Sequence, residues 1–321
     1  MTAWTEYYEG AGLHPHEAID GALHALLTHG DTVDAGHWQG YETEGRPDLV
    51  TKEIVNLTFT AQIPHTIPEL HREVMPNMPW AEAHFLERVS RVPSNPGEEY
   101  QRWPHWQGQV AAFDANVAVH ATTEHGTSYY RELFSHTYQE RFWPKYADLY
   151  TGGELPAEGP HFTDPVRKGI RYDYGDLDDV VRLLRAHPHT RQATFPIFFP
   201  EDTGAVHGGR IPCTLHYHFL LRNQRLHMWY PIRSCDAYRH FRDDIYMAMR
   251  LNHWVLEQLR ATEYDAHEVA DMANASDVEV MRAMDDAPGY MWRDVKPGVL
   301  CFTAYSFHVH MGDLHKLTIQ P

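Results

Sequence analysis

The spacing of apolar positions changes several times along the chain. From His14 to His29, Ala18, Ile19, Ala22, Leu23, Leu26 and Leu27 recur at helical intervals, and Gly30-Asp31 stops the run. Leu49 to Ile63 sets Val50, Ile54, Val55, Leu57, Phe59 and Ala61 in mostly alternating order, which predicts a strand. Trp80 to Val89 reads as a helix that begins just after Pro79. Residues 91–170 are rich in Pro, Gly, Trp and His with weak periodicity; Ser128 to Phe134 is predicted helical there. Asp176 to Ala186 carries Leu177, Val180, Val181 and Leu184 at helical spacing before Pro188 ends it, and Gln192 to Phe199 is a short apolar strand. Ile211 to Leu221 and Leu226 to Ile232 predict a hairpin across Arg222-Asn223-Gln224-Arg225. Asp243-Asp244 then opens a long helix to about Arg260, with Ile245, Met249, Val255, Leu256 and Leu259 on its apolar face. Met291 to His310 returns to strand. The mixture predicts an α+β fold with a substantial sheet.

Composition narrows the classes. A chain of 321 residues with 43% hydrophobic content can bury a large core, as one or two domains. No apolar run approaches the ~18 residues of a membrane span. Met1-Thr2-Ala3-Trp4-Thr5-Glu6 lacks a basic region followed by an apolar stretch, so no secretory leader is expected. Three cysteines are too few for a disulfide framework, and the expectation is a cytoplasmic protein with reduced thiols. The net charge of -17 repels nucleic-acid polymers and acidic membrane surfaces. A few clustered arginines can still hold one phosphate against that field. The 25 histidines gain positive charge near pH 6.

Candidate chemistry collects after residue 188. Cys213, in Ile211-Pro212-Cys213, offers a thiolate nucleophile where nearby positive charge lowers its pKa. Taken alone, a small buried hydrophobe is the commoner fate of such a residue. Arg233-Ser234 at a strand end provides a bidentate cation beside a hydroxyl, suited to a phosphate. Arg191, at the Pro188-His189-Thr190-Arg191 turn, is a further phosphate candidate or simply solvated charge. Asp236 and Asp244 are either turn and cap residues or readers of a polar ligand.

As an ordered set, these residues resemble the thymidylate synthase family, and more closely its deoxycytidylate (cytidylate) 5-hydroxymethylase branch. The intervals Cys213 to Arg233 and Arg233 to Asp244 match the family without gaps, and Leu220 to Leu226 resembles its hairpin. The resemblance implies a thymidylate synthase-like fold, a mixed sheet covered by helices with one sheet face used for dimerisation. It implies a single catalytic domain over 1–321 with a branch-specific insertion within about 91–170. Cys213 would be the nucleophile, and Arg233 and Ser234 the phosphate ligands, joined by Arg191 from the other subunit of a homodimer. The family's second arginine of that pair is Gln192 here. Asp236 and Asp244 would contact the base and sugar, as would His308 and His310 of Ser306-Phe307-His308-Val309-His310, where His310 replaces the family's tyrosine. Trp80 to Leu86 resembles the family's glutamate-bearing helix, with Glu82 as catalytic glutamate and Glu87 as its rival. The implied substrates are a pyrimidine nucleoside monophosphate and 5,10-methylenetetrahydrofolate, with no metal.

An acid at Asp244 changes the expected base. An amide presents a donor and an acceptor that match uracil N3–H and O4. Cytosine reverses these, and an acid can accept from N4 and, when protonated, donate to N3. Asp244 therefore points to dCMP or CMP. The short stretch from His308 to Pro321 predicts a reduced lid over the site, which favours hydration of the transferred carbon over its reduction. Two other classes stay open. Cys213, His216, His218, His308 and His310 include metal-ligand types, and a catalytically silent nucleotide binder would keep the same pocket.

Overall fold

The computed structural model describes residues 13–38, 41–91, 93–95, 97–105, 117–122, 128–133, 136–144, 175–203, 211–261 and 292–317. The alternating runs build one six-stranded sheet. In spatial order its strands are β1 (Asp31–Val33), β4 (Thr51–Gln62), β10 (Lys296–His310), β9 (Arg225–Asp236), β8 (His216–Arg222) and β7 (Thr194–Pro196). All neighbours are antiparallel except β9 and β10. That pair is parallel because the chain between them crosses over through a long helix, as parallel neighbours require. Two small hairpins stand apart, β2 (His37–Trp38) with β3 (Tyr41–Glu42), and β5 (Val117–Thr122) with β6 (Ser128–Leu133).

The crossover helix, α7 (Phe241–Arg260), lies on β9 and β10. It is covered in turn by α2 (Ile67–Val74), α3 (Trp80–Val89) and α6 (Leu177–Ala186), while α1 (Pro15–His29) packs on β4. Most of α7 is buried, on all sides, as befits a central helix. Phe241 anchors it to the sheet, with ring centroids 4.7 Å from Phe307, 5.7 Å from Phe302 and 6.1 Å from Phe59. Two short helices, α4 (Glu98–Gln101) and α5 (Tyr138–Phe142), pack beside α3. Arg141 of α5 pairs bidentately with Asp202 at 2.9 and 2.8 Å, both buried. Among the described residues no helix is long and apolar enough to cross a membrane.

Three adjacent strands break their alternation at one level. On β9, Ile232 and then Cys235 face the core; on β10, Ala304 and then Phe307 do; on β4, Leu57 and Ile54 do. The breaks meet in the register, where Ser306 pairs with both Val55 and Ser234, and Asn56 takes a φ of 60°. A slip of one residue exchanges the two faces for every later side chain. Cys235 is thereby turned inward toward α7, while Asp236 and His308 pair side by side beyond the break.

Several expected boundaries shift, and one element changes type. Ser128 to Phe134 was expected as a helix, but Ser128–Leu133 is β6, paired across to β5. Its two tyrosines favour a pleated strand, and six residues are too few for period alone to decide. The strand expected over Gln192–Phe199 contracts to Thr194–Pro196, and that from Ile211 begins at His216. Pro196 and Pro212 lack the N–H a ladder needs. The hairpin turn falls where expected, with Asn223 and Gln224 at φ 51° and 55°, the backbone of a tight two-residue turn. Met291 and most of the segment 91–170 lie outside the described residues.

Candidate functional site

Cys213 sits on the lead-in to β8, half-buried against the core. Its carbonyl accepts the backbone N–H of Arg233 at 2.8 Å. The Arg233 guanidinium folds back the same way, donating from Nε to Pro212 O and from Nη2 to Ile211 O, both at 2.9 Å. Thus β9 carries the arginine and fixes the cysteine turn with it. The next residue, Thr214, is buried, and its hydroxyl lies 3.1 Å from both Tyr138 Oη of α5 and Tyr230 Oη of β9.

Asp244, on the first turn of α7, points into this region. Cys235 Sγ–H donates to its Oδ2 at 3.9 Å. Burial pushes the Asp244 carboxyl up to about 7, opposed by Arg88 and reinforced by Asp243 and Asp236. Burial likewise pushes the Cys235 thiol well up, helped by the Asp244 charge, so Cys235 is a protonated donor rather than a nucleophile. The charge of a Cys213 thiolate acts on both Tyr138 and Cys235, which places Cys213 and Asp244 in one electrostatic neighbourhood. The third cysteine, Cys301, stands elsewhere on β10, its Sγ 3.7 Å from Thr60 Oγ1.

The cation in this neighbourhood comes from α3. Arg88 is buried, lies 4.1 Å over the Tyr138 ring and donates from Nε and Nη2 to His84 Nε2 at 3.1 and 3.0 Å. Burial and Arg88 hold His84 neutral, so its Nδ1–H faces Glu87 Oε2 at 3.3 Å. Sequence reasoning passed over Arg88, His84, Tyr138, Thr214 and Cys235. A usable signal existed on α3, where His84 and Arg88 fall in phase with the apolar positions Ala81, Phe85 and Val89. Basic residues on a core-facing stripe need a buried partner. Tyr138 had no such signal, because its contact with Thr214 joins distant parts of the chain.

The other expected residues fall in three places. Asp236, His308 and His310 gather at the ends of β9 and β10, within 4.8 Å of one another by their ligand atoms. Ser234 precedes them on β9, beside Ser306. Asp236 acts electrostatically on Asp244 as well as on His308, which links this cluster to the thiol neighbourhood. Burial lowers the His308 pKa. Arg191 is exposed on the turn before β7. Glu82 belongs to a different network, on the α3–α7 contact. Its carboxylate accepts from Tyr246 Oη at 2.6 Å and Arg250 Nε at 3.3 Å, and Tyr246 Oη also meets His71 Nε2 at 2.6 Å. Glu87 is also engaged, accepting from the backbone N–H groups of Glu98 and Glu99 at 2.6 and 3.2 Å.

No family model matches the chain, and no curated protein matches it. Among solved structures, thermostable thymidylate synthase A from Bacillus subtilis is similar with a TM-score of 0.50 and 12% identity, covering 94% of this chain and 83% of that one. The chain has a thymidylate synthase-like fold: a mixed sheet with helices packed on it, carrying Cys213, Arg233 and Asp244 on the lead-in to β8, on β9 and on α7.

Proposed function

We propose that this protein transfers a one-carbon unit to C5 of a cytosine nucleoside monophosphate, dCMP or CMP, and releases the 5-hydroxymethyl nucleotide. The observation that carries this reading is Asp244, an acid held near neutrality by burial in the neighbourhood of the Cys213 turn. Its protonated form offers one O–H donor and one carbonyl acceptor, matching cytosine N3 and N4–H₂. The ionised form still accepts from cytosine N4–H₂ but meets uracil O4 acceptor to acceptor, and buried polar groups left unpaired make such rejection effective.

The chemistry follows from the thiolate. Cys213 adds to C6 of the ring, and the electron pair moves to C5. Methylenetetrahydrofolate supplies the carbon and departs as tetrahydrofolate. After C5 bonds to that carbon and loses its proton, water adds to the exocyclic methylene as the Cys213 sulfur is expelled. The balance is nucleotide, methylenetetrahydrofolate and water in, hydroxymethyl nucleotide and tetrahydrofolate out. Arg233 and Ser234 are assigned to the phosphate, with Arg191 reaching it from a second subunit. His308, His310 and Asp236 are assigned to the sugar and base.

Mass spectrometry of the products from CMP, dCMP, UMP and dUMP with methylenetetrahydrofolate tests the proposal. A gain of CH₂O on a cytidylate supports it; a gain of CH₂, or preference for a uridylate, overturns it. Release of tritium from C5-labelled cytidylate distinguishes an enzyme from a silent binder. Glu82→Gln tests the remaining catalytic assignment. Activity lost with nucleotide binding retained supports it, and unchanged activity leaves Glu82 to the α3–α7 contact.

A further inference from the structure

Three metal-ligating side chains converge where β9 and β10 end. The parallel register sets Asp236 beside His308, and the period of a strand returns His310 to the same face. The two imidazole rings stand 5.6 Å apart at 81°, and the ligand atoms of all three residues lie within 4.8 Å of one another. Asp236 and His310 are buried. We propose that Asp236, His308 and His310 form a binding site for a divalent transition-metal ion of the zinc or ferrous class.

The surroundings orient each ligand as a metal site requires. His310 Nδ1 lies 3.1 Å from Leu49 O, which can only accept, so the neutral ring protonates Nδ1 and carries its lone pair on Nε2. His308 Nδ1 meets Ser306 Oγ at 3.2 Å. Asp236 Oδ1 accepts the backbone N–H groups of Tyr238 and Arg239, each at 2.9 Å, which fixes the carboxylate plane and leaves Oδ2 as the ligand oxygen. Arg239 Nε stands 3.8 Å from that oxygen but bonds Asp313 at 2.7 Å, so its charge is shared with a second carboxylate. Hydrogen bonds on non-ligating atoms are the outer shell that holds imidazole and carboxylate ligands in place. Two imidazoles with one carboxylate suit zinc and ferrous iron and leave coordination positions open, whereas calcium and magnesium take oxygen ligands. Metal–ligand bonds of about 2.0–2.1 Å require the three atoms to close to about 3.3 Å.

This site shares all three of its residues with the sugar and base contacts assigned above but does not rest on that assignment, because it is read without nucleotide. Chelator-stripped full-length protein is titrated with Zn²⁺ by calorimetry and with Co²⁺ by visible absorption. The expected result is one ion per chain, no response to Mg²⁺, and affinity at least about tenfold weaker in Asp236→Asn, His308→Ala and His310→Gln. With 25 histidines in the chain, the His216→Ala/His218→Ala variant is the comparator and should bind as the parent does. His308, the less buried histidine, keeps the test decisive if the His310 variant fails to fold. Absence of a stoichiometric ion, unchanged affinity in the triad variants, or loss in the comparator overturns the proposal. None of these outcomes alters the product masses that test the one-carbon transfer.

Discussion

Burial changes the chemistry of Asp244. Its carboxyl rises from 3.8 to about 7, because burial disfavours the charge and Asp243 and Asp236 add to that, against the pull of Arg88. The folded state therefore holds a proton that the unfolded chain has already lost between about pH 4 and pH 7, and stability falls as pH rises through that window. The full effect is about 4 kcal/mol. Denaturation at pH 5 and pH 7.5 should show the decline in the parent and not in Asp244→Asn. Ligand recognition should follow the same proton. The affinity for CMP should weaken as pH rises above about 7, toward tenfold per pH unit, with no such step in Asp244→Asn. That variant should also shift preference toward uridylates, read by competition between CMP and UMP. A pH-independent CMP affinity in the parent would remove the donor role assigned to the acid.

Helix α7 and the β8–β9 hairpin hold the site together. Phe241 fixes α7 to two strands, to β4 through Phe59 and to β10 through Phe302 and Phe307, so Phe241→Ala should cost about 3–5 kcal/mol in chemical denaturation. At the hairpin tip, Gln224 adopts φ 55° without glycine's freedom. Gln224→Gly should stabilise by about 1 kcal/mol, seen as a higher denaturation midpoint. Most of these elements were legible because a helix with a 3.6-residue stripe or a strand with alternating burial writes its period into the residues. α3 begins at Trp80 and ends at Val89, as its apolar pattern indicates. β6 is a strand through its pairing with β5, which its own six residues, with no decisive period, do not show.

At the scale of the molecule, the sheet face away from α7 leaves Val55, Trp229 and Tyr305 exposed. Within the proposed function this face pairs two subunits, and each Arg191 reaches the phosphate held by its neighbour. Trp229→Glu should then convert dimer to monomer in light scattering. Mixing inactive Cys213→Ser protein with inactive Arg191→Ala protein should recover activity. Hybrid dimers would contain one site with both its own Cys213 and the partner's intact Arg191. Failure to recover activity in mixtures that exchange subunits would place Arg191 outside the shared site.

The order Cys213, Arg233, Ser234, Asp236, Asp244 was readable from the chain because this set spans one hairpin and one helix start. Local geometry carries such spacings unchanged into the fold. The proposed thiol chemistry and the proposed preference of an acid for cytosine rest on functional groups alone. Only the tertiary structure decided which residues surround them. It brought Arg88 and Tyr138 to the cysteine–aspartate neighbourhood from elements far away in sequence, and committed Glu82 to Tyr246 and Arg250. It turned Cys235 inward through aligned breaks in three strands and set Asp236 against His308 and His310. Burial and strand register arise from contacts between distant segments. They decide the charge state of Asp244 and the grouping of the histidines, and no local pattern of residues encodes them.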